Sequence, residues 1–205
     1  IEGQLFENQA DYMKTLLAQD WESETFGPVQ VPGRIANVFK CWGSPDHGED
    51  DPYIHNRQHC AMQDSMFLDD NFMTGPLIYR YDHIKGDDDM NPLRFNSMYQ
   101  ENYSLPLDAF NNARSGDVTD FECNTRFVDL AERKWKTSFC LRQYRKYPKL
   151  FDMHVYMAMV GVPKEGLLVS VIAEGVGRDS ALDFTRKFIE GIRPIDGAAA
   201  QDGAD

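Results

Sequence analysis

Nothing in the 205-residue chain approaches the run of about 18 apolar residues that a membrane-spanning helix requires. No positively charged start followed by an apolar segment marks a secretory leader, and Ile1-Glu2-Gly3 reads as the remainder of a cleaved leader or of cloning. Positive charge is also scarce: 21 Lys and Arg stand against 33 Asp and Glu, for a net charge of −12. Such a field repels phosphate backbones, which excludes nucleic acid as the expected partner. The short signatures of common active sites are missing as well. There is no G-x-S-x-G elbow, H-E-x-x-H helix, phosphate-binding loop, dinucleotide fingerprint or C-x-x-C pair.

What is present suffices for a core. Hydrophobic residues make up 42% of the chain and aromatics 12%, a content that disordered chains lack. A chain of this length buries roughly 70% of its unfolded surface on folding. Residues 1–195 read as a single domain, and residues 196–205, ending in GAAAQDGAD, as a flexible tail.

The four cysteines fall into two local pairs. Cys41 ends one strand-like run (Arg34 to Trp42) and Cys60 begins another (Cys60 to Leu68), flanking an acidic loop with almost no apolar content. Closing a loop of that size contributes about 3 kcal/mol by restricting the unfolded chain. Cys123 and Cys140 lie in alternating segments, Phe121 to Val128 and Thr137 to Tyr144, that fold back on each other about a turn at Ala131 and Glu132. The competing readings are free buried thiols and a zinc site, and zinc would require knuckle spacings that are absent; two disulfides are the expectation, and with them a periplasmic or extracellular location.

Periodicity supplies the rest. Phe6, Ala10, Met13 and Leu17 recur at helical spacing within Leu5 to Trp21, and Ala181, Phe184, Phe188 and Ile192 within Ser180 to Arg193, where Ser180 and Asp183 suggest a capping box. Gly27-Pro28 and Pro32-Gly33 punctuate the chain between them. Pro76 to His83 reads as a further strand, Leu93 to Tyr99 as an apolar segment, and Ser104 to Arg114 as a short helix. Phe151 to Val160 alternates Phe151, Met153, Val155, Met157 and Met159 against Asp152, His154, Tyr156 and Ala158. The turn Pro163 to Gly166 then leads into Leu167 to Val176, which is apolar enough to be buried on both faces. The fold class is α+β: an antiparallel sheet packed with an N-terminal and a C-terminal helix, plus a disulfide-closed loop at 41–60.

Binding candidates gather where cations and aromatics interleave: Trp135, Arg142, Tyr144, Arg145 and Tyr147, suited to an acidic protein or anionic polymer. His55 and His59 in the first disulfide loop, and Asp87 and Asp89 in the run GDDDMNP, are weaker metal candidates, and neither set matches a compact ligand spacing. His154 beside Asp152 or Glu174 offers a general base, against its reading as a plain histidine on the polar face of a strand. Asn102-Tyr103-Ser104 fits a glycosylation sequon. No cofactor is implied. The features together point to a non-catalytic secreted or periplasmic accessory protein that binds another envelope or secreted protein. The alternative is a secreted hydrolase or metal-dependent enzyme built on His55, His59 or His154. Thiol titration of the denatured, unreduced protein is expected to find no free thiol, and four would refute the oxidising compartment.

Overall fold

A computed structural model of the chain describes residues 2–37, 39–44, 54–62, 66–69, 72–74, 77–85, 118–161 and 165–195. Helix α1 (Glu2–Ala18) leads into a hairpin, β1 (Ser23–Phe26) and β2 (Val29–Pro32). The chain continues through β3 (Phe39–Ser44), β4 (Ile54–Met62), β5 (Met66–Asp69), β6 (Phe72–Thr74) and β7 (Ile78–Lys85). After residue 117 come β8 (Glu122–Leu130), β9 (Arg133–Gln143), β10 (Leu150–Val160) and β11 (Glu165–Gly177). Helix α2 (Arg178–Glu190) and the short β12 (Arg193–Pro194) complete the order. Seven strands form one antiparallel sheet in the order β3-β4-β7-β11-β10-β9-β8, and β1-β2-β12 form a small second sheet. The expected α+β architecture, with helices from both ends of the chain packed on antiparallel sheet, is what the structure contains.

Strand alternation fixes which side chains meet the helices. On one face Tyr79 and Tyr81 of β7, Val169 and Val171 of β11, and Met153, Val155, Met157 and Met159 of β10 lie side by side in register, with Trp135 of β9 beyond them. Met13 and Leu16 of α1, and Ala181, Phe184 and Phe188 of α2, join the same buried core. Phe26, Val29 and Val31 bring the small sheet onto it. Two tyrosines tie the layers together through polar tips: Tyr81 Oη donates to the Pro32 carbonyl at 2.6 Å, and Tyr79 Oη donates to that of Gly33. Lys187 of α2 reaches the C-terminal end of α1, bonding the carbonyls of Leu17, in its last turn, and Gln19, just beyond it, at 2.6 Å each, where unpaired helix-end carbonyls favour a cation.

Both disulfides form, and both clamp an edge. Cys41 on edge strand β3 faces Cys60 on β4, and Cys123 on edge strand β8 faces Cys140 on β9. Register places Cys60 beside Tyr79 on the helix-covered face, whereas Cys140 stands beside His154 on the opposite face. The sheet is therefore stapled at its two ends from opposite sides. The turn between β8 and β9 falls at Ala131 and Glu132, as the cysteine positions suggest. Both residues are left-handed, φ 53° and 59°, the conformation of a two-residue hairpin loop. At the other hairpin Gly27 takes φ +57°, and a Cβ there would meet the His83 ring at 3.0 Å.

Several expectations need correction. The strand expected over Arg34 to Trp42 begins only at Phe39, because Gly33 and Ile35 bond to Glu22 and Tyr79 instead. Cys60 lies near the end of β4, not at the start of a strand, since the chain before it is already paired from Ile54. The hairpin β1–β2 goes beyond what the Gly-Pro punctuation conveyed. The buried face of α1 is Gln9, Met13 and Leu16, because the Gln9 side chain accepts the Gly177 N–H. No capping box forms at α2, since β11 runs directly into the helix and Gly177 is the cap. The segments Leu93 to Tyr99 and Ser104 to Arg114, Asp87, Asp89, the sequon, Pro163 and the tail 196–205 lie outside the described residues.

Phe188 stacks on Tyr81 at 6.2 Å and lies beside Phe184 at 5.9 Å, at the centre of the helix-to-sheet contact. Phe188→Ala is expected to cost about 3–5 kcal/mol of unfolding free energy, read as a lowered urea midpoint at unchanged slope.

Candidate functional site

The sheet face turned away from the helices carries polar side chains where a core would ordinarily be apolar. One cross-strand row runs through all seven strands: Trp42, His59, Arg80, Ser170, Tyr156, Ser138 and Thr125. Its centre is dry, with Ser170 and Tyr156 buried, and its ends meet solvent. Asp82 stands in the next row. Its fully buried carboxylate accepts Arg57 Nε at 2.6 Å and Arg80 Nε and Nη2 at 3.0 and 2.7 Å. Two half-buried guanidiniums thus share one carboxylate, a geometry in which charge-assisted bonds offset the cost of burying the anion.

On the other side of the row, His154 is fully buried between the Phe121 ring, 4.7 Å away, and Tyr156, whose Oη lies 3.0 Å from Nδ1. Desolvation, with Arg142 nearby adding repulsion, pushes its pKa down to about 3. The imidazole is held neutral. Burial also raises the Tyr156 phenol, so that pair stores no proton ready for exchange near neutral pH. Asp152 is held by Arg142 Nε at 2.8 Å, by the Tyr144 hydroxyl and by the Gly175 N–H at 3.2 Å. It pins the irregular register between Phe151 and Met153, and is not positioned to orient His154.

At the β3 edge the same face becomes a surface. The Trp42 ring is 49% exposed and stacks parallel on His59, with centroids 5.6 Å apart and planes 7° from parallel. Lys40, exposed, precedes it on the strand, and Arg57 and Arg80 lie partly open beside His59. Cys41, between Lys40 and Trp42, points to the opposite face and bonds Cys60. An aromatic plate backed by an imidazole and flanked by cations, on a strand that is covalently held, is pre-ordered for contact.

The candidates read from the sequence are placed differently. Trp135, Arg142 and Tyr144 are fully buried and Tyr147 is nearly so; only Arg145 is exposed, its Nε donating to the Val118 carbonyl at 3.1 Å. That stretch is two-sided core. Trp135 fills the helix-covered face, donating to the Leu130 carbonyl, while Arg142 and Tyr144 serve Asp152 on the other. His154 lies in a buried layer and not on a polar solvent face, because both faces of β10 are covered. His59 belongs to the Trp42 stack; of His55 only the backbone, in β4, is described. Among the described residues no three metal-ligating side chains converge, and no helix is long and apolar enough to cross a membrane. Trp42, Arg57 and Arg80 were missed. The available signal was alternation beside Cys41: if the cysteine faces the core, Lys40 and Trp42 must face away.

The fold and this face define an α+β protein with a stapled antiparallel sheet and one aromatic, cationic edge. No protein-family model and no curated protein matches the chain in sequence. Among solved structures it is similar to cyanobacterial PsbP (CyanoP) from Synechocystis sp. PCC 6803, at 9% identity and a TM-score of 0.44, over 86% of this chain and 92% of that one. It is also similar to LpqN, involved in cell envelope biogenesis of Mycobacterium tuberculosis, at 10% identity and a TM-score of 0.39, over 90% of this chain and 95% of that one. At these values neither likeness bears on what this chain binds.

The buried neutral His154 sets a pH dependence. Its pKa is lower folded than unfolded, so below pH 6.5 the unfolded chain takes up a proton that the folded chain refuses. Stability from this group is complete above pH 6.5 and declines as pH falls toward about 3. His154→Gln is expected to flatten the fall in urea midpoint across that window relative to wild type. Equal slopes would show that His154 protonates freely in the fold.

Proposed function

We propose that this is a non-catalytic accessory protein of the periplasm or extracellular space that binds another envelope or secreted protein. Chemistry supports the compartment: two disulfides clamp edge strands of the sheet, and such bonds persist where thiols are not kept reduced. The observation that carries the binding role is Trp42, exposed and stacked on His59 at the stapled β3 edge. Tryptophan and arginine dominate interface energetics because they combine large apolar area with fixed polar geometry. The patch is cationic within a chain of net charge −12, which suits an acidic or aromatic segment of a partner. The buried ionisable groups nearby support this reading, since Asp82 and Asp152 are each held by arginine and His154 by its aromatic neighbours.

The test is capture from the native envelope fraction on immobilised wild-type chain, Trp42→Ala and the control Arg186→Ala, which alters an exposed site on α2. A protein retained by wild type and control and depleted at least ten-fold by Trp42→Ala, at unchanged melting temperature, supports the assignment; ten-fold corresponds to about 1.4 kcal/mol. Equal retention by all three baits overturns it.

A further inference from the structure

The opposite edge of the large sheet is built differently from the β3 edge. Strand β8 is nine residues long, pairs with β9 without a register shift, contains no proline, and is exposed on both faces over most of its length. Natural edge strands of this length are usually blunted by a bulge, a proline or a covering element. Here Phe127, 63% exposed, stands at the middle of the strand instead.

The backbone groups that β8 offers outward can be assigned. A two-residue loop makes Leu130 and Arg133 a hydrogen-bonded pair, so Val128, Arg126, Asn124 and Glu122 also bond β9. Cys123, Thr125, Phe127 and Asp129 then occupy the alternate, non-hydrogen-bonded positions. The 4.0 Å Cα separation of Cys123 and Cys140 agrees, being that of the closer type of pair. The N–H and C=O groups of these four residues therefore point away from β9 into solvent. The disulfide holds them in line, so little ordering remains to be done on pairing.

We infer that β8 pairs antiparallel with β8 of a second copy of this chain, about a two-fold axis passing beside Asn124. Charge within the strand favours this register, the one that sets Glu122 and Arg126, both residues of β8, opposite each other. Centred on Asn124, each Glu122 faces the partner's Arg126, and each Phe127 faces the partner's Phe121. The acid and base occupy non-hydrogen-bonded positions of the new ladder, where opposing side chains are closest. Centring on Arg126 sets two arginines face to face, and centring on Thr125 or Phe127 leaves Glu122 and Arg126 without opposite charges. Glu122, Asn124 and Arg126 are all exposed in the single chain. A cavity of about 390 Å³ lined by Glu122, Asn124, Phe139, Leu141 and Arg178 adjoins the strand on the face that carries Glu122. This inference is independent of the partner assigned to the β3 edge.

Sedimentation velocity on the full chain tests it. Wild type is expected to show a monomer–dimer equilibrium. Arg126→Glu opposes two acids to two acids and Glu122→Arg two bases to two bases, so each alone should weaken dimerisation at least ten-fold. Mixed in equal amounts, the two variants should recover a dimer containing one of each, because both contacts are then of opposite sign. That recovery also shows that both variants fold. Thr125→Pro removes an outward N–H but no backbone bond to β9 and should abolish the dimer, whereas Thr125→Val, which loses only the hydroxyl contact with Ser138, should keep it. A wild type that stays monomeric at the highest soluble concentration overturns the inference, as does a dimer indifferent to Thr125→Pro or a mixture that fails to recover. An edge that instead takes an extended segment of another protein would give the first of these results.

Discussion

Burial of β10 and β11 on both faces is the constraint on which the rest of the structure depends. A strand covered on one side can place its polar residues in water, whereas these two cannot. Asp152, His154 and Tyr156 alternate with the methionines of β10, so their side chains are sealed on the face away from the helices. Each then requires an internal solution. Asp152 takes a guanidinium, a phenol and a backbone N–H; His154 surrenders its proton and packs between rings; Tyr156 shares a bond with His154. The polar row across the sheet is the outcome of that requirement, and it reaches solvent only at its ends.

The two faces consequently divide the work. The helix-covered face supplies apolar burial: Phe184 and Phe188 of α2 against Tyr79, Tyr81 and the methionines, with hydroxyl tips satisfied by carbonyls of the incoming small sheet. The other face supplies definition of register, because a one-residue slip of β7 against β4 would separate Asp82 from Arg57 and leave its buried carboxylate to Arg80 alone. Removing one partner from a buried ion pair costs more than forming the pair gains over an apolar substitute. The polar layer thus penalises wrong pairings more than it strengthens the right one.

Much of this was legible in residues taken one at a time, and the remainder was not for physical reasons. The cysteine pairing, the turn at Ala131 and Glu132, the strands carrying Met153 and Val171 and the apolar face of α2 follow from spacing alone. The interleaved cations and aromatics from Trp135 to Tyr147 misled, because composition cannot distinguish a solvated patch from a strand whose two faces are both buried. Arg142 resembles a surface arginine until Asp152 is seen across the ladder from it. Trp42 escaped notice for the converse reason: alternation sets it opposite Cys41, but which of the two faces the core follows only from the pairing of Cys60 with Tyr79 on the helix-covered face.

The disulfides then acquire distinct meanings. An isolated edge strand loses its outer ladder to solvent and is the first element to peel from a sheet. At β3 the staple lies on the helix side and holds Trp42 outward on the other; at β8 it lies on the polar side and holds Thr125 and Phe127 in an extended line. One edge is arranged to present a side chain, the other to present backbone. A dimer joined at β8 continues the sheet through the contact and leaves the two Trp42 surfaces at its far ends, on the order of 60 Å apart at about 4.8 Å per strand. If Trp42 carries the proposed contact, such a pair is bivalent. Two weak contacts made by one rigid body on an envelope structure that repeats over that span reinforce each other through effective concentration, without requiring either contact to be strong alone.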